Sequence, residues 1–353
     1  MKDQITFDTP PNKICILRLS ALGDVTHVIP VVRAIQKNWP DTEITWVCGK
    51  FEKKLILEIQ GIRFIEFDKK QGWHAYRDLY RALKGEVFDV LLHMQVAARA
   101  NLASMFIRSP VKIGWDKKRS RDFHQLFINY RVPVAQLQHQ VQGFLSFARA
   151  MGLDVEEPTW DFPVSDTGLD FANQYVSKDK KVLLISPCSS HMLRNWKADA
   201  YAKIADYAIE QLDMQVILSG GPSQEEKDMA DEIESGMSCS LTNLVGKDTL
   251  QQLVGLLSRV DVVISPDSGP AHIANAVGTP VIGLYACTWS KRSGPYNYLD
   301  YCVDKFEVAA RRYLEKTARE LRWGTKIELP GVMSLIEINE VKEKLTKIAQ
   351  TVQ

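Results

Sequence analysis

The chain has 353 residues, 45% hydrophobic and 25% charged, with a formal net charge of +1. This is globular composition, long enough for two domains, and the near-neutral balance argues against a general nucleic-acid binder. No run of about 18 apolar residues exists, so no transmembrane helix is expected, and the polar, acid-bearing first ten residues do not read as a signal peptide. The six cysteines, Cys15, Cys48, Cys188, Cys239, Cys287 and Cys302, show no C-x-x-C and no metal spacing. Several lie in apolar runs, which reads as buried, reduced thiols in a cytosolic protein.

In chain order, Lys13-Ile14-Cys15-Ile16-Leu17-Arg18-Leu19 has a strand pattern and Ser20-Ala21-Leu22-Gly23-Asp24 a loop pattern. Residues 25–38 then place Val28, Val31, Val32 and Ile35 at helical spacing. This unit lacks G-x-G-x-x-G, which disfavours a nicotinamide oxidoreductase. Strands are predicted at 44–47, 64–67, 88–93 and 111–114 and a helix at 73–83. Their alternation predicts parallel βαβ units. Arg108, Lys112, Lys117, Lys118, Arg119, Arg121 and Arg131 form a basic stretch broken by Trp115 and Phe123. It is either a solvated loop or a surface that steers an acidic ligand. Between 155 and 170 Glu, Pro, Asp and Gly accumulate, as in a linker.

The second half restarts the pattern, with strands predicted at 181–186, 215–219, 261–265 and 281–285 and helices at 198–211, 223–235 and 249–258. A last amphipathic helix follows at 338–348. The segment Asp267-Ser268-Gly269-Pro270-Ala271-His272 joins a buried strand to a helix that Gly278-Thr279-Pro280 stops. A tight turn into a helix N-terminus suits phosphate, because free N–H groups and the positive end of the dipole face the ligand. Gly269 allows close approach and His272 adds a titratable donor; the alternative is an ordinary turn with a structural histidine. A carboxylate repels phosphates, so Asp267 is assigned to ordering the loop through backbone hydrogen bonds or to a sugar hydroxyl. The seven histidines are scattered and no D-x-D triplet occurs, so no metal site is read.

Three segments together resemble glycosyltransferase family 9, the lipopolysaccharide heptosyltransferases. They are residues 16–27 (Ile-Leu-Arg-Leu-Ser-Ala-Leu-Gly-Asp-Val-Thr-His), Ser186-Pro187-Cys188-Ser189-Ser190 with Arg194-Asn195-Trp196, and Ser265-Pro266 leading into the 267–272 segment. The resemblance spans about residues 13–350. It implies an α/β chain of two doubly wound Rossmann-like domains facing a cleft, the glycosyltransferase B fold. Residues 1–165 would bind acceptor and 166–335 nucleotide sugar, with 336–353 packing back on the first domain. The implied reaction is inverting, metal-independent transfer of heptose from ADP-heptose to a lipopolysaccharide inner-core or lipid A-Kdo acceptor. No cofactor is implied. The location is cytoplasmic, with peripheral contact at the inner membrane left open.

The same resemblance places the catalytic carboxylate at Asp24, which would take the acceptor hydroxyl's proton; otherwise Asp24 is only a helix N-cap. It places donor contacts at Ser189, Ser190, Arg194, Asp267, Ser268, Gly269 and His272, and acceptor contacts at Arg18, Gly23, Arg119 and Arg121. Arg194 stands where the family carries a lysine, and Lys197 is its rival. Trp196 is read as packing. Glu225 or Glu226 either meets ribose or caps the 223–235 helix; Leu244 and Gly246 either border the base pocket or belong to the core. The competing functions are transfer of another sugar, nucleotide-sugar epimerisation, and a two-lobed ligand receptor.

Overall fold

In the computed structural model, which describes Ile5 and residues 7–351, the apolar runs of the first half become six parallel strands. These are β1 (Lys13–Leu17), β2 (Glu43–Gly49), β3 (Ile62–Phe67), β4 (Val90–His93), β5 (Val111–Gly114) and β6 (Tyr130–Arg131). Helices α1 (Leu22–Asn38), α2 (Lys50–Ile56), α3 (Trp73–Ala82), α4 (Ala98–Ser104) and α5 (Gln140–Ala150) alternate with or follow them. The sheet order is β3-β2-β1-β4-β5-β6. Strands covered on both faces carry apolar side chains at successive positions, and all four residues of β4 are buried. Order reverses between β1 and β4, and a crevice at the carboxyl edge of such a switch is where doubly wound sheets bind ligands. The indole of Trp160 donates to Thr26 O (3.0 Å) on α1, and Arg33 Nε donates to Trp160 O (3.0 Å). These bonds tie the end of the first unit, Met1–Asp161, onto α1 and put the boundary a few residues before the expected 165/166.

The second unit, Phe162–Gln353, repeats the plan. It contains α6 (Asp166–Tyr175), β7 (Val182–Ile185), α7 (Ala198–Leu212), β8 (Gln215–Leu218), α8 (Gln224–Ser235) and β9 (Thr242–Asn243). After them come α9 (Leu250–Leu257), β10 (Val262–Pro266), α10 (Gly269–Val277), β11 (Val281–Tyr285), α11 (Ser290–Ser293), β12 (Val303–Asp304), α12 (Phe306–Leu314) and α13 (Ile338–Thr351). The order β12-β11-β10-β7-β8-β9 has its switch between β7 and β10. Val341, Leu345 and Ile348 of α13 join this unit's core, Lys181 Nζ donates to Ala349 O (2.5 Å), and Tyr207 shares a hydrogen bond with Thr346 (2.8 Å). The last helix, expected on the first domain, buries its apolar stripe in the core of the second unit.

Helices α6 and α9 cross backbone to backbone. A Cβ on Gly255 would lie 2.0 Å from Gly168 O. Gly255→Ala is expected to lower stability by about 2 kcal/mol or more, because the helices must part and reopen a packed seam. A urea midpoint equal to the parent's would contradict this crossing.

All six cysteines are free thiols. Residues 1–4 and Thr6 of the segment read as no signal peptide lie outside the described residues, as do the last two residues. Among the described residues no helix is long and apolar enough to cross a membrane.

Candidate active site

The first cluster lies at the switch of the first sheet. Leaving β1, Arg18 donates from Nη1 to Met94 O (2.7 Å), and Leu19 N donates to Gln95 Oε1 (2.7 Å). Gln95 Nε2 donates in turn to Ser20 Oγ (3.2 Å). The loops after β1 and β4 are thus stitched together. Against this frame Arg18 Nη2 pairs with Asp24 Oδ2 and Gln140 Nε2 donates to Asp24 Oδ1. The Arg18 guanidinium also lies over the Phe144 ring, 5.2 Å from its centroid. Helix α1 takes Ala21 as N-cap, and Asp24 sits three positions in, accepting from Ala21 N (3.4 Å). Asp24 is therefore not the N-cap. A carboxylate there is favoured by the helix dipole. Its side chain is 24% exposed, oriented by a cation on one oxygen and an amide on the other. Gly23 lies half-buried in the same turn.

The basic stretch after β5 holds a strut, Arg119, and several exposed cations. Arg119 lies over Trp115 (4.6 Å), pairs with buried Asp116, and donates to Pro133 O (2.8 Å) and Gln138 Oε1 (3.3 Å). Its donors hold the loop, so in this structure the Arg119 expected at the acceptor is engaged within the protein. Lys117, Lys118 and Arg121 are exposed. Beneath the loop, His124 Nε2 accepts from Trp115 N (3.2 Å), so the ring proton is on Nδ1, 2.9 Å from Asn101 Oδ1. The His93 ring packs against it at 4.5 Å.

Burial pushes His124 down to about 4, and burial also lowers His93. The unfolded chain protonates first as pH falls below about 6.5. These histidines therefore cost nothing above that value and destabilise progressively as pH drops towards the folded value. His124 alone removes roughly 2 kcal/mol between pH 7 and pH 5. Urea unfolding at both pH values is expected to show this loss, reduced in His124→Asn; a flat parent profile would contradict it.

The second cluster lies at the switch of the other sheet. Ser189 Oγ donates to Asp267 O (2.9 Å) and joins the loop after β7 to the turn after β10. Its hydrogen is thereby used, whereas Ser190 is exposed. Ser265 Oγ donates to Ser186 O (2.9 Å), so Ser268 must donate to Ser265 Oγ (2.7 Å). The Ser268 hydroxyl expected to face a ligand is here the end of this internal chain. Helix α10 starts at Gly269 with no side-chain cap on Ser268. Pro270 has no N–H, so the opening turn presents the N–H groups of Gly269 and Ala271.

Around that turn, His272 Nε2 is 3.6 Å from Asp267 Oδ1. The Ser293 hydroxyl is 3.5 Å from Asp267 Oδ2. Burial raises Asp267, but hydrogen bonding and charge from His272, with Thr288 and Arg194, outweigh it and leave the carboxyl below its ordinary value. The Asp267 carboxylate is thus held by side chains, His272 foremost. Arg194 donates from Nε (2.7 Å) and Nη2 (2.5 Å) to Glu328 Oε1. Burial and the charge of Arg194 lower nearby Lys326. Lys197 is exposed and lines a separate surface hollow with Lys203 and Lys342. Among the described residues no three His, Cys, Asp or Glu side chains gather as a metal-holding group.

The family model for glycosyltransferase family 9 (heptosyltransferase) matches residues 76–323, more than half of the chain. The chain belongs to glycosyltransferase family 9. Across this family 9 enzyme, the lipopolysaccharide core heptosyltransferase OpsX of Haemophilus influenzae is 42% identical over 342 residues, 97% of this chain and 98% of that protein. A family 9 glycosyltransferase from Veillonella parvula superposes with a TM-score of 0.80 at 18% identity, covering 96% of this chain and 97% of that one. E. coli heptosyltransferase WaaC with ADP gives 0.73 at 18% identity, covering 95% and 99%. At that identity the structures establish the fold, two doubly wound α/β units.

The remaining expected residues of this glycosyltransferase separate cleanly. Glu225 is exposed on α8, whereas Glu226 turns inward and accepts from Gly221 N (2.5 Å). Of the two expected candidates, the inward carboxylate is Glu226. Leu244 is 2% exposed, so its side chain is core. Gly246 donates to Gly220 O (2.9 Å) with φ of 72°, a backbone that favours glycine. Trp196 packs on Tyr201 at 5.3 Å and its indole donates to Ile336 O (3.2 Å), as a packing residue should. Sequence reasoning missed Gln95, Gln140, Lys326 and Glu328. It also missed Asp248, which burial pushes up to about 6 beside Ser219 and Glu226.

Proposed function

We propose that this glycosyltransferase moves a heptose from ADP-heptose to a lipopolysaccharide inner-core acceptor with inversion of configuration. The observation that carries the substrate is the 42% identity, over nearly the whole of both chains, to a lipopolysaccharide core heptosyltransferase. In this reading the first unit holds the acceptor and the second the donor. A single displacement needs one base and a stabilised leaving group. Asp24 takes the hydroxyl proton as the new glycosidic bond forms, oriented by Arg18 and Gln140. ADP leaves with its diphosphate over the α10 N-terminus, where N–H groups, Arg194 and His272 meet its charge. The inward carboxylate of Glu226 suits ribose hydroxyls.

Mass spectrometry of a heptose-free core incubated with ADP-heptose is expected to show a gain of one heptose, undiminished by a chelator of divalent cations. The protein itself supplies positive charge to the leaving diphosphate in this arrangement. A strict requirement for added metal would overturn that part. ADP-heptose consumed without acceptor would move the function to epimerisation. A gain only with another nucleotide sugar would keep the chemistry and change the donor.

A further inference from the structure

The loop between β5 and β6 has a feature that transfer chemistry does not require. Asp122 and Phe123 both adopt left-handed backbone, with φ of 50° and 59°, which is unfavourable for residues with a Cβ. The outcome is exposure: Phe123 is 82% and Leu126 79% exposed, above every other large apolar side chain among the described residues. Burying Phe123 would be the ordinary choice for a phenylalanine.

The loop is held firmly in this form. The Asp122 carboxylate accepts from Ala98 N (3.0 Å) and Asp122 O from Asn101 Nδ2 (2.7 Å). His124, next to Phe123, is 1% exposed and bonded to Trp115 and Asn101. Leu126 N donates to Phe123 O (2.9 Å), closing a 3₁₀ turn. Phe123 and Leu126 bracket this turn, both exposed, while buried His124 between them anchors the loop. Lys117, Lys118 and Arg121 of the same loop are exposed as well. The acids of the segment are engaged, Asp116 by Arg119 and Asp122 by the α4 backbone.

We infer that residues 117–126 dock on an anionic phospholipid bilayer, with Phe123 and Leu126 entering the acyl boundary and Lys117, Lys118 and Arg121 meeting lipid phosphates. Two apolar side chains on a tip are far too small for a stable protein interface, whereas a bilayer needs only a shallow wedge and complementary charge. The loop and Asp24 both follow the carboxyl ends of strands in one parallel sheet. A chain of contacts links them: Asp24 to Arg18, Arg18 over Phe144, Phe144 to Trp115 at 5.4 Å, and Trp115 under Arg119. Docking would therefore bring the base to the surface that carries a lipid-linked acceptor. That purpose rests on the function proposed above; the docking does not.

The test mixes the full chain with vesicles of phosphatidylcholine alone or with an equal share of phosphatidylglycerol, acceptor absent, and follows co-flotation. Binding is expected to anionic vesicles only and to weaken with salt. A variant carrying Phe123→Asp and Leu126→Asp should lose affinity about tenfold or more, with unchanged melting and unchanged turnover of a deacylated, soluble acceptor. Absence of binding in the parent, or equal binding in the variant, overturns the inference. So does a concentration-dependent dimer, abolished in the variant, without vesicle binding. If the parent binds vesicles but transfers no heptose, docking stands and the proposed function fails.

Discussion

Asp24→Asn is expected to lower turnover by about a thousandfold while ADP affinity stays within about twofold of the parent's. Asparagine keeps the shape of the side chain and one carbonyl oxygen for Arg18. Its amide would face that of Gln140, and Gln140 restores the hydrogen bond by turning its own oxygen inward. The half-buried Arg18 stays partnered, so the loop stitched by Met94 and Gln95 survives. What disappears is the ability to accept a proton as the acceptor oxygen attacks. Turnover followed by heptose gain, with ADP binding measured by calorimetry, separates the two effects. Parent-like turnover would remove Asp24 from the chemistry and leave it as a helix-start carboxylate. A loss of ADP binding matching the loss of turnover would mean that the substitution disturbs the protein more broadly.

The switch points were legible because both sheets are parallel and covered on both faces. Their strands therefore appear as short apolar runs, and each ends in a loop rich in small and polar residues. That pattern located Asp24 and the 267–272 turn. Contacts set by tertiary packing were not legible. Gln140 opens a helix hidden in a run of glutamines, and its approach to Asp24 spans 116 positions. Lys326 and Glu328 lie in an irregular segment that the backbone bond from Ile327 N to Cys287 O (2.8 Å) fixes beside the loop after β11. Glu225 and Glu226 are neighbours on one helix, so only the direction of α8 decides which turns inward. Arg119 looked free because the acid that holds it, Asp116, has its own burial decided by the fold. Helix α6 was hidden in a stretch with linker composition, although Ser165 caps it by accepting from Gly168 N (3.2 Å).

Arg194→Met should weaken ADP binding by roughly 30-fold, the size of a lost charge-assisted contact to phosphate, whereas Lys197→Met should leave it unchanged. Arg194 is at the rim of the α10 turn with its side chain 11% exposed, and its charge reaches Asp267. Lys197 points into a different hollow. The resting partner of Arg194 is Glu328. Burial raises this carboxyl, and the hydrogen bond and charge of Arg194 more than offset that. A diphosphate at the helix start must share or take Arg194 from Glu328. Removing the arginine alone therefore does two things: it deletes a phosphate contact and leaves an unmatched carboxylate beside the ligand. Glu328→Gln in the Arg194→Met background should recover part of the lost affinity, because the repulsion goes with the charge. Glu328→Gln by itself should bind ADP at least as tightly as the parent, since the competitor for Arg194 is weakened. Calorimetry on the four proteins measures the coupling directly. If Lys197→Met loses affinity and Arg194→Met does not, the phosphate cation is Lys197, and the Arg194–Glu328 pair is structural. If neither changes, the diphosphate does not sit at the start of α10.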